Sequence, residues 1–367
     1  MSGSPRIAVC GGGTGGHAIP AVSICEKIRK LEPNAKFLYI GAKGSIEERL
    51  AHEAGLPFKR VWVSSLRRGR IFANLLLPLK CTVSLAQALV HLSRFKVQVV
   101  VGTGGFSAWP ACAAARYSWR TYVLWEPNAY PGLVTRLLAK HAERVYLSFE
   151  EVAKQLRLEA DQYLVTGNPV PMNIGGDDAF EARKAFGLKP EYTTLFVTGG
   201  SGGARSINEV IGKSNEKLIK KDLNIIWQTG RHWSGSLDVP EPLQGRLFIK
   251  HFFSRAEMSR AYSAADFALT RCGAMTLAEL AQVGLPALLV PFPHAAEGHQ
   301  EANARAVEAA GGGLMILDKD FGTEILLEKL ADFLDMEKRK AMSAAMKQLA
   351  RPDAVEKMAG DILSLIV

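Results

Sequence analysis

Short apolar runs alternate with stretches of helical spacing along this chain. RIAVC (6–10) is apolar throughout and runs into glycines, which predicts a buried strand and a tight loop. Pro20–Leu31 follows with helical periodicity. KFLYIG (36–41), VQVVVGTGG (97–105), TYVLWE (121–126) and RVYLSF (144–149) continue as strands. Strands separated by helical stretches predict βαβ units and a parallel sheet. The pattern restarts at TTLFVTGGSGGARSIN (193–208) and continues through LNIIWQTG, RLFIKHF, DFALTR and PALLVPF. Two similar halves predict two doubly wound, Rossmann-like α/β domains. The junction is expected in VTGNPVP (165–171), where Gly167, Pro169 and Pro171 break regular structure. The expected domains are therefore 5–168 and 169–351. Helices are expected after Thr323, and the segment 352–367, from Pro352 on, is expected to return to the first domain.

The 367 residues suit two domains of middle size, and 48% hydrophobic with 22% charged residues is the profile of a globular protein with real cores. Cys10, Cys25, Cys81, Cys112 and Cys272 are scattered and odd in number, which argues for a reducing compartment without a disulfide framework. The first residues enter a strand almost at once, so no secretion signal is expected. The longest apolar run, near Ile71–Leu79, is shorter than the roughly 20 residues of a membrane-spanning helix.

The net charge is +9, unevenly spread. Residues 1–169 hold 22 Lys and Arg against 11 Asp and Glu, whereas the remainder holds 23 against 25. A basic half suits nucleic acid or an anionic membrane surface. No aromatic-interleaved basic stripe or nucleic-acid motif is present, so a membrane surface is favoured and no nucleic-acid partner is expected. Arg67, Arg68 and Arg70 precede IFANLLLPLK, a basic and apolar combination fit for peripheral attachment. An ordinary amphipathic helix packed on its own sheet is the alternative.

Gly11-x-Gly13-x-x-Gly16 matches a dinucleotide fingerprint. Such a site also needs an acid at the end of the second strand, and here Ile40-Gly41-Ala42-Lys43 precedes the first one, Glu47. His17 stands where a P-loop would have lysine. What survives is a set of backbone N–H groups at a helix N-terminus, suited to phosphate, or else a plain strand–helix turn. Gly102-Thr103-Gly104-Gly105 and Gly199–Gly203 are further loops of this kind, and Ser201 adds a hydroxyl donor to the second. In DFALTRCGAMTLAELAQVGLPALLVPF (266–292) a strand ends at Arg271, and Thr276 is expected to cap the next helix. Arg271 and the helix N-terminus then suit a diphosphate. Glu279 becomes either a ribose-binding carboxylate or an ordinary first-turn acid. His294, His299, Gln300 and Asn303 cluster at another strand–helix junction, to bind a sugar or base or to cap the helix. Zinc spacing is lacking, and Asp318-Lys319-Asp320 reads as a solvated turn, so neither metal nor cofactor is expected.

GGGTGGHAIPA, GTGGFSAWP, EPNAYPGLVTRLLA, GNPV, GGSGGARSIN, RCGAMTLAELAQVGLPALLVPFPH and HQEANA stand in the order seen in the MurG family. From about residue 6 to beyond 310, the chain resembles these bacterial N-acetylglucosaminyltransferases of peptidoglycan biosynthesis. The resemblance implies a GT-B fold of two Rossmann-like domains with an interdomain cleft. It implies UDP-GlcNAc as donor, mainly on the second domain. The implied acceptor is lipid I, an undecaprenyl-diphosphate-linked muramyl pentapeptide, at the cytoplasmic face of the membrane. The implied reaction inverts the anomeric centre and gives lipid II. By position, Thr14, Gly15 and Gly16 match the family's donor-contacting loop and His17 its general base. Gly13, Gly102, Gly104 and Gly105 fall to the acceptor diphosphate. Asn128 matches a sugar-contacting asparagine, and Asn128 and Glu126 are further catalytic candidates beside His17. Ser201, Asn208, Phe253, Arg271, Gln300 and the segment Ala274, Met275, Thr276, Leu277, Ala278 and Glu279 fall to the donor, with Glu279 on the ribose. The chain departs from the family pattern at Trp125, Pro127, Pro171, Phe106 and Gly202. A nucleotide-sugar 2-epimerase and a non-catalytic nucleotide-sugar or lipid-diphosphate binding protein are the rival readings.

Overall fold

The computed structural model describes residues 4–65, 74–170, 174–236, 239–295 and 298–366. Arg67, Arg68, Arg70 and Pro171 lie outside the described residues. The described chain divides into two compact units, residues 1–169 with 351–367, and residues 170–350.

The first unit runs β1 (Arg6–Cys10), α1 (Gly15–Leu31), β2 (Lys36–Ala42), α2 (Ile46–Glu53), β3 (Phe58–Val61), α3 (Leu77–Phe95), β4 (Val99–Gly102), α4 (Trp109–Tyr117), β5 (Thr121–Glu126), α5 (Leu133–Leu138), β6 (Arg144–Leu147), α6 (Glu151–Leu156) and β7 (Tyr163–Val165). Its seven strands lie in the order β3-β2-β1-β4-β5-β6-β7, and every pair is parallel. Helices cover a parallel sheet on both faces, so its inner strands are apolar at every position rather than at alternate ones. Val99, Val100 and Val101 are fully buried, as are Ile7, Ala8 and Val9.

The second unit runs α7 (Ala179–Ala185), β8 (Thr193–Thr198), α8 (Arg205–Ile219), β9 (Leu223–Gln228), β10 (Leu247–Lys250), α9 (Arg255–Ala264), β11 (Phe267–Thr270), α10 (Ala274–Val283), β12 (Ala287–Leu289), α11 (His299–Ala309), β13 (Gly313–Met315), α12 (Thr323–Leu334) and α13 (Met336–Gln348). Its six parallel strands are ordered β10-β9-β8-β11-β12-β13. Two apolar clusters fill its faces, one around Phe196, Tyr262 and Leu280, the other around Ile207, Trp227 and Phe333.

The last helix, α14 (Ala354–Ser364), belongs to the first unit and packs on α1. It buries Ala354, Met358, Ala359 and Ile362. Asp361 accepts hydrogen bonds from Arg144 Nε (3.2 Å) and Tyr146 Oη (2.8 Å), and Lys27 pairs with Glu356.

In each sheet the chain order reverses at one strand. β1 pairs with both β2 and β4, and β8 with both β9 and β11. Loops leaving neighbouring carboxyl ends diverge at such a point, which is where ligands settle in doubly wound sheets. The register sets Cys10 beside Gly102, so the loops after β1 and β4 emerge side by side.

One boundary differs from the sequence expectation. Helix α1 begins at Gly15 and contains Pro20, whereas the pattern placed the helix from Pro20 on. Proline favours a first helical turn, but contacts at Thr14 and Thr103 start the helix earlier. The shift places Gly15, Gly16 and His17 in the first turn.

Candidate functional site

The first unit's site is two interlocked loops. Gly12 N donates to Gly104 O (3.2 Å), and Thr103 N donates to Cys10 O (2.8 Å). Gly105 has φ +74°, and a Cβ there would lie 2.0 Å from Gly12 O, so only glycine permits the approach. Tyr39 Oη donates to Gly11 O at 2.6 Å. Glu47 is fully buried beneath the loop, accepting from Gly13 N (3.1 Å) and Ala42 N (3.3 Å).

His17 is fixed by this interlock. Its imidazole Nδ1 lies 2.8 Å from Thr103 O, and Thr103 Oγ1 donates to His17 O at 2.7 Å. A carbonyl oxygen only accepts, so Nδ1 carries a proton, and in the neutral form of the ring the basic lone pair falls on Nε2. Thr14, Gly15 and Gly16 lie at the adjoining helix start, where Thr14 O accepts from His17 N and Ala18 N (both 3.3 Å).

Two acceptor-diphosphate candidates are engaged by their own fold. Gly13 spends its N–H on Glu47, and Gly102 is the buried last residue of β4, where a Cβ would meet Cys112 Sγ at 2.5 Å. Gly104 and Gly105 are placed beside His17.

At the end of β5, Glu126 is buried and its two oxygens accept four hydrogen bonds. Oε1 takes Asn128 N (3.2 Å) and Asn128 Nδ2 (3.1 Å), while Oε2 takes Gly132 N (2.9 Å) and Thr135 Oγ1 (2.6 Å). Burial raises its pKa, outweighing those bonds. Glu126 therefore organises the turn that presents Asn128. Trp125, beside it, is fully buried and donates from Nε1 to Gly167 O.

In the second unit, Gly199–Gly203 follows β8. Ser201 is exposed and its carbonyl accepts from Arg231 N (3.1 Å). Gly203 packs on the loop after β9, where a Cβ would lie 2.2 Å from Thr229 O. Helix α10 begins at Ala274 with Gly273 in the cap position, so Thr276 does not cap it and stands inside the first turn. Ala274 and Leu277 face the core, while Met275, Thr276, Ala278 and Glu279 are half-buried. Glu279 Oε2 accepts from Tyr262 Oη at 2.8 Å. Burial lifts the Glu279 carboxyl to about 6, with the tyrosine bond and Arg255 pulling the other way.

Four donor-site candidates are engaged within the fold here. Arg271 donates from Nη1 to Asp318 (2.6 Å) and to the carbonyls of Val290 and Pro291 (both 3.1 Å), and from Nη2 to Ser206 Oγ (3.0 Å). It braces loops, and Asp318 is its counter-ion rather than part of a solvated turn. Asn208 is buried, donating to Thr229 O (2.8 Å) and accepting from Trp227 Nε1 (3.1 Å), which leaves its amide engaged by its own fold. Phe253 is buried and stacks with Phe186 and Phe196 in the core. Gln300 Oε1 accepts from Cys272 N (3.1 Å) and Phe292 N (3.0 Å), tying together the loops after β11 and β12. His294 is exposed against Phe292, and buried Asn303 donates to Cys272 O (3.1 Å). Glu47, Thr103 and Tyr262 were missed by sequence reasoning. Glu47 entered it only as an acid in the wrong place, and Thr103 only as part of a glycine loop.

Comparison with known proteins agrees with this architecture. Residues 7–147 match the glycosyltransferase family 28 N-terminal domain, and residues 194–358 match the glycosyltransferase family 28 C-terminal domain. A Salinibacter ruber protein named UDP-N-acetylglucosamine--N-acetylmuramyl-(pentapeptide) pyrophosphoryl-undecaprenol N-acetylglucosamine transferase is 35% identical, covering 99% of this chain and 97% of its own. The crystal structure of Acinetobacter baumannii MurG superposes with a TM-score of 0.78 at 24% identity, covering 98% of this chain and 99% of that one. A putative UDP-N-acetylglucosamine 2-epimerase from Listeria monocytogenes superposes at 0.73 with 13% identity, covering 99% and 96%, a likeness of fold alone. The chain belongs to the MurG family of glycosyltransferases, with the paired parallel-sheet domains of the GT-B fold.

Proposed function

We propose that this chain transfers GlcNAc from UDP-GlcNAc to the 4-hydroxyl of the muramyl sugar of lipid I, forming lipid II with inversion at the anomeric carbon. The geometry of His17 carries the reading. With Nδ1 protonated against Thr103 O, Nε2 is the nitrogen that takes the acceptor hydroxyl's proton as its oxygen attacks the anomeric carbon. UDP departs from the opposite face, so a single displacement inverts the centre. The acceptor diphosphate lies against the N-terminus of α1, beside Gly104 and Gly105. Asn128, on the turn braced by Glu126, contacts the transferred sugar, and Thr14, Gly15 and Gly16 lie at the same end of the donor. In the second unit the N-terminus of α10 stabilises the leaving diphosphate, Ser201 donates to it, and Glu279 accepts from the ribose. Arg271 acts indirectly, by holding the loop that leads into α10.

Incubation with UDP-GlcNAc and a lipid I analogue should yield the β-linked disaccharide lipid and UDP. Conversion of UDP-GlcNAc alone to its 2-epimer would establish the rival chemistry instead, and UDP-GlcNAc binding without product would establish a binding protein.

The enzyme's place is the inner face of an anionic cell membrane, as a peripheral protein. Support comes from Leu75, Leu76 and Leu79, which are 72%, 54% and 52% exposed just before and within α3, and from the basic excess of the first half. No helix among the described residues is long and apolar enough to cross a membrane. Sedimentation with anionic liposomes should weaken with salt and on replacing Leu75, Leu76 and Leu79 by serine. Binding indifferent to both would remove this face as the anchor.

A further inference from the structure

We propose that Tyr262 is a positioning residue for donor recognition, holding the Glu279 carboxylate in the orientation that reads the 2′-hydroxyl of a ribonucleoside diphosphate. This rests on the assignment of Glu279 to the donor ribose made above.

The two residues come from adjacent helices. Helix α9 is set by a capping box in which Ser254 Oγ accepts from Glu257 N and Glu257 accepts from Ser254 N. Tyr262, two turns on, is buried, with its ring edge-on to Phe196 of β8 (centroids 5.5 Å, planes at 87°). Packing leaves that ring little rotational freedom, so its hydroxyl is a fixed point. From there it donates to Glu279 Oε2 at 2.8 Å. That bond leaves the other oxygen, Oε1, outside the tyrosine's hold.

A glutamate's last torsion is broad, so a half-buried carboxylate left to itself samples many plane orientations. Accepting from a vicinal diol demands one of them. A phenol anchored in the core fixes Oε2 and thereby aims Oε1. With Glu279 ionised the bond is charge-assisted, the kind that carries geometric specificity. It also favours the ionised acceptor over the neutral acid, which can no longer accept on both oxygens. Without the phenol, the ribose must order the carboxylate itself, and affinity for the 2′-hydroxyl falls.

The test compares Tyr262→Phe and Glu279→Gln with the parent enzyme. The readouts are kcat and donor KM, and the binding of UDP and 2′-deoxy-UDP by calorimetry. Tyr262→Phe keeps the ring and its packing while deleting one oxygen. Losing a hydrogen bond to a charged group should raise donor KM about tenfold, with a much smaller change in kcat, since the interaction serves binding rather than the transition state alone. The preference for UDP over 2′-deoxy-UDP should shrink by a similar factor. If Tyr262→Phe keeps the parent's UDP to deoxy-UDP ratio while Glu279→Gln loses it, the positioning role is overturned and the ribose assignment stands. If Glu279→Gln also keeps the ratio, the ribose assignment itself falls. A lower melting temperature for Tyr262→Phe with an unchanged ratio would make the tyrosine a core residue only, which also overturns the proposal.

Discussion

The loops Gly11–Gly16 and Gly199–Gly203 follow the same strand, glycine and helix pattern, yet the fold closes them on opposite sides. In the first unit the loop after β1 locks onto the loop after β4, across the point where strand order reverses, through Gly12, Thr103 and Gly105. In the second, the loop after β8 locks onto the loop after β9, on the other side, through Gly203, Thr229 and Gly230. Among the described residues no backbone hydrogen bond ties the second loop to the loop after β11, the side from which α10 and Glu279 come. A glycine pattern thus specifies close backbone approach without specifying what approaches. The first unit spends its glycines on fixing one imidazole. The second keeps Ser201 exposed in its loop.

The largest effect expected from this contrast is catalytic and confined to the first loop. His17→Ala should cut turnover by about 10²–10⁴ with UDP affinity retained, measured by product formation and by calorimetry. A loss below tenfold would mean that the interlock serves folding rather than proton transfer. The next effect is on stability. Gly105→Ala forces a side chain into a left-handed backbone and onto Gly12 O, and should cost on the order of 3 kcal/mol in urea unfolding. The same change at Gly200, at φ +82° but with open space around it, should cost about 1 kcal/mol. Equal losses would break the comparison.

A third test concerns the carboxylate on the β11 side. Burial lifts Glu279 from 4.5 to about 6, so the folded state binds that proton more tightly than the unfolded chain. The associated stability is complete below pH 4.5 and is lost as pH rises through about 6, amounting to about 2 kcal/mol. Thermal melts of Glu279→Gln should therefore fall less between pH 4.5 and 7.5 than those of the parent. A parallel fall in both would show that Glu279 titrates normally. The smallest effect is expected at Ser201→Ala. Donor KM should rise by a few fold, as for one exposed hydroxyl donor worth about 1 kcal/mol, with melting unchanged. A large drop in melting temperature would show that the second loop is as tightly built as the first.

Much of this molecule was legible in the chain because buried parallel strands leave continuous apolar runs. RIAVC and TTLFVT show them, and the repeated glycine loops mark the turns between strand and helix. The candidate site was legible as an address list. His17, Asn128 and Ser201 stand just past strand ends or at a helix start, where ligands meet such sheets, and Glu279 stands midway along α10. The state of each side chain was less legible. Arg271 reads as a diphosphate cation until Asp318, 47 residues on, is seen to neutralise it. Asn208 reads as a polar contact until Trp227 and Thr229 take its amide. Thr276 reads as a cap until the helix begins before it.

By itself, the sequence determined the two parallel-sheet domains, the family and the loops at which chemistry would gather, because these depend on local periodicity and on glycines in fixed order. Tertiary structure alone decided which backbone group each glycine admits. It also decided that Thr103 O selects the proton position on His17, that Glu47 occupies the Gly13 N–H, and that Tyr262 holds Glu279. Each of these is a hydrogen bond between residues 17 to 86 positions apart, and its geometry comes from strand register and helix packing rather than from the neighbouring sequence.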